Sequence, residues 1–167
     1  MIGFKKTAMV ALLAGLGFTG ASQASLVARA GGMVYDTVYK ITWTADANLF
    51  KTQAAGNANL VSEIIAGNGG IILDTPNYYN PSGTYELTTA DFNTDSGAMT
   101  WWGAQAWANN LSLGGYTDWS LSTTVPPAVY NYTLFTNLYE YVYWSSIEFE
   151  TPSFAWYFNT GGGYQVG

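Results

Sequence analysis

The sequence predicts an α+β fold of short antiparallel strands, two or three helices and long loops. Strand-like runs rich in β-branched and aromatic residues cluster towards both ends, at 33–35, 41–43, 141–149 and 154–160. Helical patterns lie between them, at 58–66 and after Thr100. The two kinds do not alternate, which argues against βαβ units and a parallel sheet.

The first residues stand apart from this pattern. Lys5 and Lys6 make a basic start, 8–18 is an apolar run too short to span a bilayer, and Ser22-Gln23-Ala24 puts small residues where a signal peptidase reads. Residues 1–24 are therefore expected to be a signal peptide cleaved after Ala24, with 28–30 as a later alternative. Residues 25–167 are then expected to form one exported domain, periplasmic, surface-bound or secreted. No membrane span is expected once the leader is gone.

Along that domain, 33–35 and 41–43 read as a β-hairpin or two short strands. Asp46, Ala47 and Asn48 mark a turn or the approach to a helix. A helix over 58–66 turns Leu60, Val61, Ile64 and Ile65 inward and is ended by Gly67. Residues 68–97 have the composition of a long irregular insertion, centred on Asn77 to Gly83 and punctuated by two short strands near 71–73 and 84–87.

The stretch 99–121 organises the rest, and it holds four of the chain's seven Trp. Thr100 is placed to cap a helix, with Trp101, Ala104, Ala108 and Leu111 along one buried face. Gly114 supplies the left-handed residue that ends the helix, and Gly115 turns the chain towards Tyr116, Asp118 and Trp119. Pro126 and Pro127 follow, then a helical turn over 133–138 that buries Leu134, Phe135 and Leu138. The last two long strands are separated by a turn at Thr151, Pro152 and Ser153. Gly161, Gly162 and Gly163 turn the chain into a further strand at 164–166.

Composition excludes much chemistry. With no Cys and no His, thiol and imidazole nucleophiles, a Ser-His-Asp triad and a typical zinc site are all ruled out. Once Lys5 and Lys6 are gone, Arg29, Lys40 and Lys51 face 11 acidic residues, a net charge of −8. Such a chain repels phosphate backbones and anionic lipid, so nucleic acid is not an expected partner. Only 10% of residues are charged, so the surface is largely Asn, Thr, Ser, Gly and Tyr hydroxyl, which suits neutral hydroxyl-rich ligands or other protein surfaces.

The segments DTVYKITWTADANL, MTWWGAQAWANNLSLGGYTDWSLSTT, LFTNL, YWSSIEF and AWYFNTGGGYQ, in this order, resemble the Lcl C-terminal-like family of exported bacterial domains. The resemblance runs from about Gly32 to the C-terminus. It implies a compact domain related to the C-type lectin-like and formylglycine-generating folds; one namesake is a collagen-like adhesin whose terminal domain binds sulfated polysaccharide. Two departures limit the transfer. Ser120 and Ser122 stand where members usually carry Arg and Pro after the Asp-Trp pair, and members usually continue past the glycine-rich turn into a closing strand. That implies a shortened copy with an open sheet edge, prone to self-association. Sulfate recognition needs cationic side chains, of which only three remain beyond residue 24, so the sulfated ligand is not carried over; formylglycine generation needs Cys, and there is none.

The candidate binding residues are Trp102, Tyr116, Asp118, Trp119 and Glu148. Trp101, Trp107, Trp144 and Trp156 are expected in the core. Trp101 and Trp102 point about 100° apart on a helix, so Trp102 is the candidate for exposure and sugar stacking. Asp118 either holds its own turn or acts as an oxygen ligand for Ca²⁺ or an acceptor for sugar hydroxyls, with Glu148 or Glu150 arriving from the neighbouring strand. No spacing matches a known calcium loop, so no cofactor is required. Glu148 and Glu150 share a strand face and so allow, at the bottom of the ranking, a glycosidase pair at roughly 5 to 10 Å. The sequons at Asn110 and Asn131 are read as chance. The expected function is a non-enzymatic binding or adhesion domain for a glycan or another surface protein; a self-associating envelope protein is the alternative.

Overall fold

The structure, a computed structural model, describes residues 3–6, 26–77, 80–123, 132–138, 142–148, 155–159 and 164–166. Its fold is α+β, as the sequence predicts: among these residues, three α-helices and several short antiparallel strands in small sheets. No helix among them is long and apolar enough to cross a membrane.

Strand β1 (Gly3–Lys6) falls in the segment read as a leader, and β2 (Leu26–Arg29) follows just beyond the expected cleavage point. β3 (Met33–Asp36) and β4 (Ile41–Thr44) form the expected hairpin, in register from Met33 opposite Thr44 to Asp36 opposite Ile41. Its turn is held by the Asp36 carboxylate, which accepts from the backbone N–H groups of Val38 and Tyr39 at 2.8 and 2.9 Å. Lys40 takes φ +57° to close it. β2 was not foreseen; it pairs antiparallel with β3, and its Arg29 guanidinium lies 3.9 Å from the centre of the Tyr35 ring.

The Asp46 segment leads into α1 (Leu49–Gly56), a helix the sequence pattern hid because Phe50 alone in it is buried. Asp46 accepts from Asn48 N–H, from the Thr52 hydroxyl and from the Asn137 amide, so it ties the start of α1 to a distant segment. α2 (Leu60–Gly67) buries Ile64 and packs Leu60, Val61 and Ile65 on the core. Gly67 does not end it by a left-handed turn. That role belongs to Gly69, at φ +67°, where Gly70 N–H donates to Ile65 C=O and Gly69 N–H to Ala66 C=O. Gly67 instead lies against the exposed Asn110 side chain, which a Cβ there would push aside.

Within the insertion, β5 (Ile71–Leu73) and β6 (Thr84–Glu86) pair antiparallel, as expected. Ile72 points in, whereas Ile71 and Leu73 are 45% and 77% exposed. A single turn of 3₁₀ helix, Thr89–Asp91, then carries the chain beneath α3 (Trp101–Asn110). Thr100 caps α3 as predicted, its hydroxyl accepting from Gly103 N–H at 3.1 Å. Gly103 must be small, because a Cβ would meet the Asp91 carbonyl at 2.7 Å.

α3 is the centre of the larger core. Trp101, Ala104, Ala106, Trp107 and Ala108 are buried on it, against Phe50, Ile64, Phe92, Trp119 and Leu121. The small Ala side chains let the neighbouring elements come close. β7 (Ser120–Leu121) follows, and Ser122 pairs in parallel with Ser145 of β8 (Val142–Glu148). β9 (Ala155–Asn159) and β10 (Tyr164–Val166) complete a sheet of order β10-β9-β8. A second core gathers Val34, Trp43, Ala47, Phe135, Tyr143 and Phe158, with Leu134 and Leu138 packed on it after the 3₁₀ turn Tyr132–Leu134.

Of the four Trp expected in the core, Trp101 and Trp107 are 8% and 1% exposed, while Trp144 and Trp156 are half-buried. Trp43 and Trp119 take deep positions instead, at 0% and 3%. Trp101 and Trp144 still join helix to sheet by a reciprocal pair of indole bonds. Trp101 Nε1 donates to Ser145 C=O at 2.7 Å, and Trp144 Nε1 to Met99 C=O at 2.9 Å. The expected turns at Thr151 to Ser153 and Gly161 to Gly163, the Pro126-Pro127 segment, Tyr78, Tyr79 and Glu150 lie outside the described residues.

Candidate functional site

The helix α3 ends before the glycines. Leu111 is already extended, at φ −74° and ψ 126°, so the left-handed Gly114 is not the helix stop predicted from the sequence. Gly114 and Gly115, at φ +61° and +81°, are instead the centre of a two-residue turn. Leu113 and Tyr116 exchange both backbone hydrogen bonds across it at 3.0 Å. Two successive positive φ angles are what a tight hairpin turn of this hand requires.

That turn is pinned from both sides. Gly31, at φ +81° in the β2–β3 turn, sits so close that a Cβ on it would lie 2.9 Å from Gly114 Cα, and the Met33 side chain lies under Gly114. On the other flank Trp119 is buried, and its Nε1 donates to Tyr116 C=O at 3.2 Å. Between these anchors Tyr116 is half-buried while Thr117 and Asp118 are exposed. Gly31→Ala is expected to cost about 1–3 kcal/mol, because it combines a strained φ with a backbone collision that no rotamer relieves. Its urea midpoint against that of Gly32→Ala, where a Cβ meets nothing within 4 Å, isolates the collision from the φ strain common to both.

Trp102 lies elsewhere. Its ring stacks on Tyr85 of β6 at 4.0 Å and 2°, and stands edge-on to Trp101 at 6.1 Å and 74°. It is the more exposed of the Trp pair, but one face is already covered, so it is not an open stacking platform. Its Nε1, like the Gln105 Nε2 one turn along the helix, is shielded from solvent without a hydrogen-bond partner. Glu148, half-buried, ends β8 opposite Ala155. The five candidates therefore divide: Tyr116, Asp118 and Trp119 share one loop, Trp102 belongs with the β5–β6 hairpin, and Glu148 with the β8–β9 sheet. Trp119 itself is core, holding the loop from beneath.

Behind Trp102 lies a buried carboxylate outside the five candidates. Asp91 is 2% exposed and accepts from Tyr85 Oη, Thr88 N–H, the Thr88 hydroxyl and the Thr100 hydroxyl, at 2.8, 2.8, 3.2 and 2.8 Å. The threonine three residues ahead of it, Thr88, was the available signal: that spacing is a capping box. Burial first, then the bond and charge of Asp91, push the Tyr85 hydroxyl up from 10.0 to about 12. The unfolded chain releases this proton near 10 and the folded chain holds it to about 12, so stability falls as pH rises through that window. Unfolding midpoints measured across it should fall less steeply for Tyr85→Phe than for the unaltered chain.

Asp36, Asp46 and Asp91 are thus each engaged in holding a turn, a helix start or a packing contact. Among the described residues no group of three or more carboxylates is placed to hold a metal ion. What the 113–119 loop can do chemically is bind: a phenol edge, a hydroxyl and a carboxylate, presented on a held backbone. Compared with known protein families, with curated proteins and with solved structures, the chain finds no match.

Proposed function

We propose that this chain is an exported, non-enzymatic binding or adhesion domain whose ligand is a neutral, hydroxyl-rich glycan. The observation that carries the reading is the loop at 113–119, where exposed Thr117 and Asp118 stand between a glycine turn fixed by Gly31 and a buried Trp119. A loop held in this way loses little conformational freedom on binding, which favours even a small polar contact set. The charge-poor, hydroxyl-rich surface, the leader-like first 24 residues and the resemblance to the Lcl C-terminal-like family support the same reading. Asp118 acts as the acceptor for sugar hydroxyls and Tyr116 offers an apolar ring edge. Calcium held by Asp118 is the variant to separate from this.

A self-associating envelope protein is the second reading. It is favoured by the outward apolar pair Ile71 and Leu73 on β5, and by Val142 and Ile147, 49% and 40% exposed on β8.

The test is a glycan-array screen of the exported chain, run with calcium and again with chelator, followed by titration of the best ligand. Asp118→Ala should weaken binding about tenfold or more, a loss of roughly 1.4 kcal/mol, with the thermal midpoint unchanged. A folded chain that binds no glycan, or an Asp118→Ala variant that binds as well as the original, removes this reading.

A further inference from the structure

We propose that Asn68-Gly69 is a site of spontaneous covalent modification, gated by the seating of α2 on α3. While the helices are docked, the Asn68 amide is held. When the junction opens, Asn68 converts to aspartate or isoaspartate, and the junction then re-forms less stably.

Asn68-Gly69 is the one Asn-Gly pair in the chain, and the fold uses both residues. Gly69 ends α2 at φ +67°, a conformation that a side chain would strain. Asn68, half-buried, completes that helix end: its Nδ2 donates to Ile64 C=O at 2.8 Å and to Ala106 C=O of α3 at 3.0 Å. The first bond caps the last turn of α2, and the second ties α2 to the helix at the centre of the larger core.

Asn before Gly is also where an Asn side chain closes most readily on its own backbone, because glycine has no Cβ to obstruct the ring. The Gly69 nitrogen attacks the Asn68 side-chain carbonyl carbon and forms a five-membered imide. The side-chain nitrogen leaves as ammonia, taking the proton of the Gly69 N–H. Water then opens the imide. Cleavage at the side-chain carbonyl gives aspartate at 68, and cleavage at the main-chain carbonyl gives isoaspartate.

In the folded chain both reacting groups are committed elsewhere. The Gly69 N–H donates to Ala66 C=O at 3.0 Å, and the Asn68 amide is pinned to two carbonyls on two helices. Attack needs nitrogen and carbon about 3–3.5 Å apart and aligned, so the amide must first swing off both carbonyls. That lifts the end of α2 from α3. Ala66, Gly67 and Gly69 are exposed, so water reaches the bond and little apolar burial opposes a local opening there.

The product cannot take the place of the amide. A carboxylate at 68 has no N–H to give and sets its oxygens against two carbonyl oxygens. Isoaspartate also adds a backbone carbon ahead of Gly69, which displaces the bonds from Gly69 N–H to Ala66 C=O and from Gly70 N–H to Ile65 C=O. The chain thus keeps a covalent record of its own opening.

The test incubates the full chain in mildly alkaline buffer, folded and in urea, and follows position 68 by peptide mapping with mass spectrometry. Conversion at 68 should be at least about tenfold faster in urea than in buffer. In urea it should also outrun conversion at Asn59 and Asn93, which precede Leu60 and Thr94. Ile64→Val, which trims the buried side chain of α2, should speed conversion of the folded chain about threefold. Asn68→Asp should lower the urea midpoint further than Asn68→Ala, which removes both bonds without adding a charge. Equal rates at 68 in buffer and urea, or an Ile64→Val chain that converts no faster, overturn the gate. A rate at 68 in urea no faster than at Asn59 or Asn93 overturns the site. An Asn68→Asp midpoint equal to that of the original chain overturns the lasting effect on the junction.

Discussion

Asp91→Ala is expected to lower stability by about 3 kcal/mol, measured by urea unfolding followed through tryptophan fluorescence. The carboxylate is almost fully buried and receives hydrogen bonds from Tyr85, Thr88 and Thr100, so its removal strands donors on three elements at once. The loss is not confined to one turn. Thr100 caps α3, and the Asp91 carbonyl accepts from Thr100 N–H at 3.0 Å, so the 3₁₀ turn and the first turn of the helix are one unit. Tyr85 in turn orients the ring on which Trp102 stacks. Asp91→Asn keeps the volume and one acceptor oxygen and should cost about half as much, since its amide nitrogen opposes donors on one side. An Asp91→Ala variant within about 0.5 kcal/mol of the original contradicts the assignment of this cluster as a stabilising node.

Trp101→Ala is the second large effect, at about 3–5 kcal/mol. The indole is 8% exposed in the larger core and also donates to Ser145 C=O at 2.7 Å, the link from α3 to β8. Trp101→Phe separates the two contributions. It retains most of the apolar burial and removes the donor, and should cost about 1–3 kcal/mol, the penalty of a buried carbonyl deprived of its partner. Hydrogen exchange across 142–148 should quicken in both variants. If Trp101→Phe matched the original in stability and in exchange, the bond to Ser145 would contribute nothing.

What was legible in the sequence was local. Thr100 as an N-cap, the inward face of α2, the hairpin at Asp36 and the weak strands within the insertion all follow from nearest-neighbour chemistry and periodicity, and they stand where the pattern puts them. The glycines were legible as turns but not as to which turn. Gly67 and Gly114 each looked like a helix stop, whereas α2 is ended by Gly69 and Gly114 serves a hairpin turn. Choosing between them depends on contacts made by distant residues, Asn110 in one case and Gly31 in the other.

Long-range contacts hid the rest. Asp46 meets Asn137, 91 residues away, and no local rule finds such a pair. α1 is signalled only at its entry, Asp46 to Asn48, because one buried side chain, Phe50, leaves no periodic stripe along the helix itself. Trp119 looked like a site residue because it follows an exposed Asp in a turn. Its indole folds back under that turn, which makes it the support of the candidate site. The Thr88 spacing marks Asp91 locally as part of a cap, but its burial arises only when Tyr85 and Thr100 close over it.

The measurement that tests the proposed function most directly is hydrogen exchange of the chain with and without the glycan selected on the array. The account predicts slowing confined to the backbone of Leu113, Tyr116, Thr117, Asp118 and Trp119, and its loss in Asp118→Ala. Slowing at the β5–β6 hairpin around Tyr85 and at Trp102, or no slowing anywhere at saturating glycan, would contradict it.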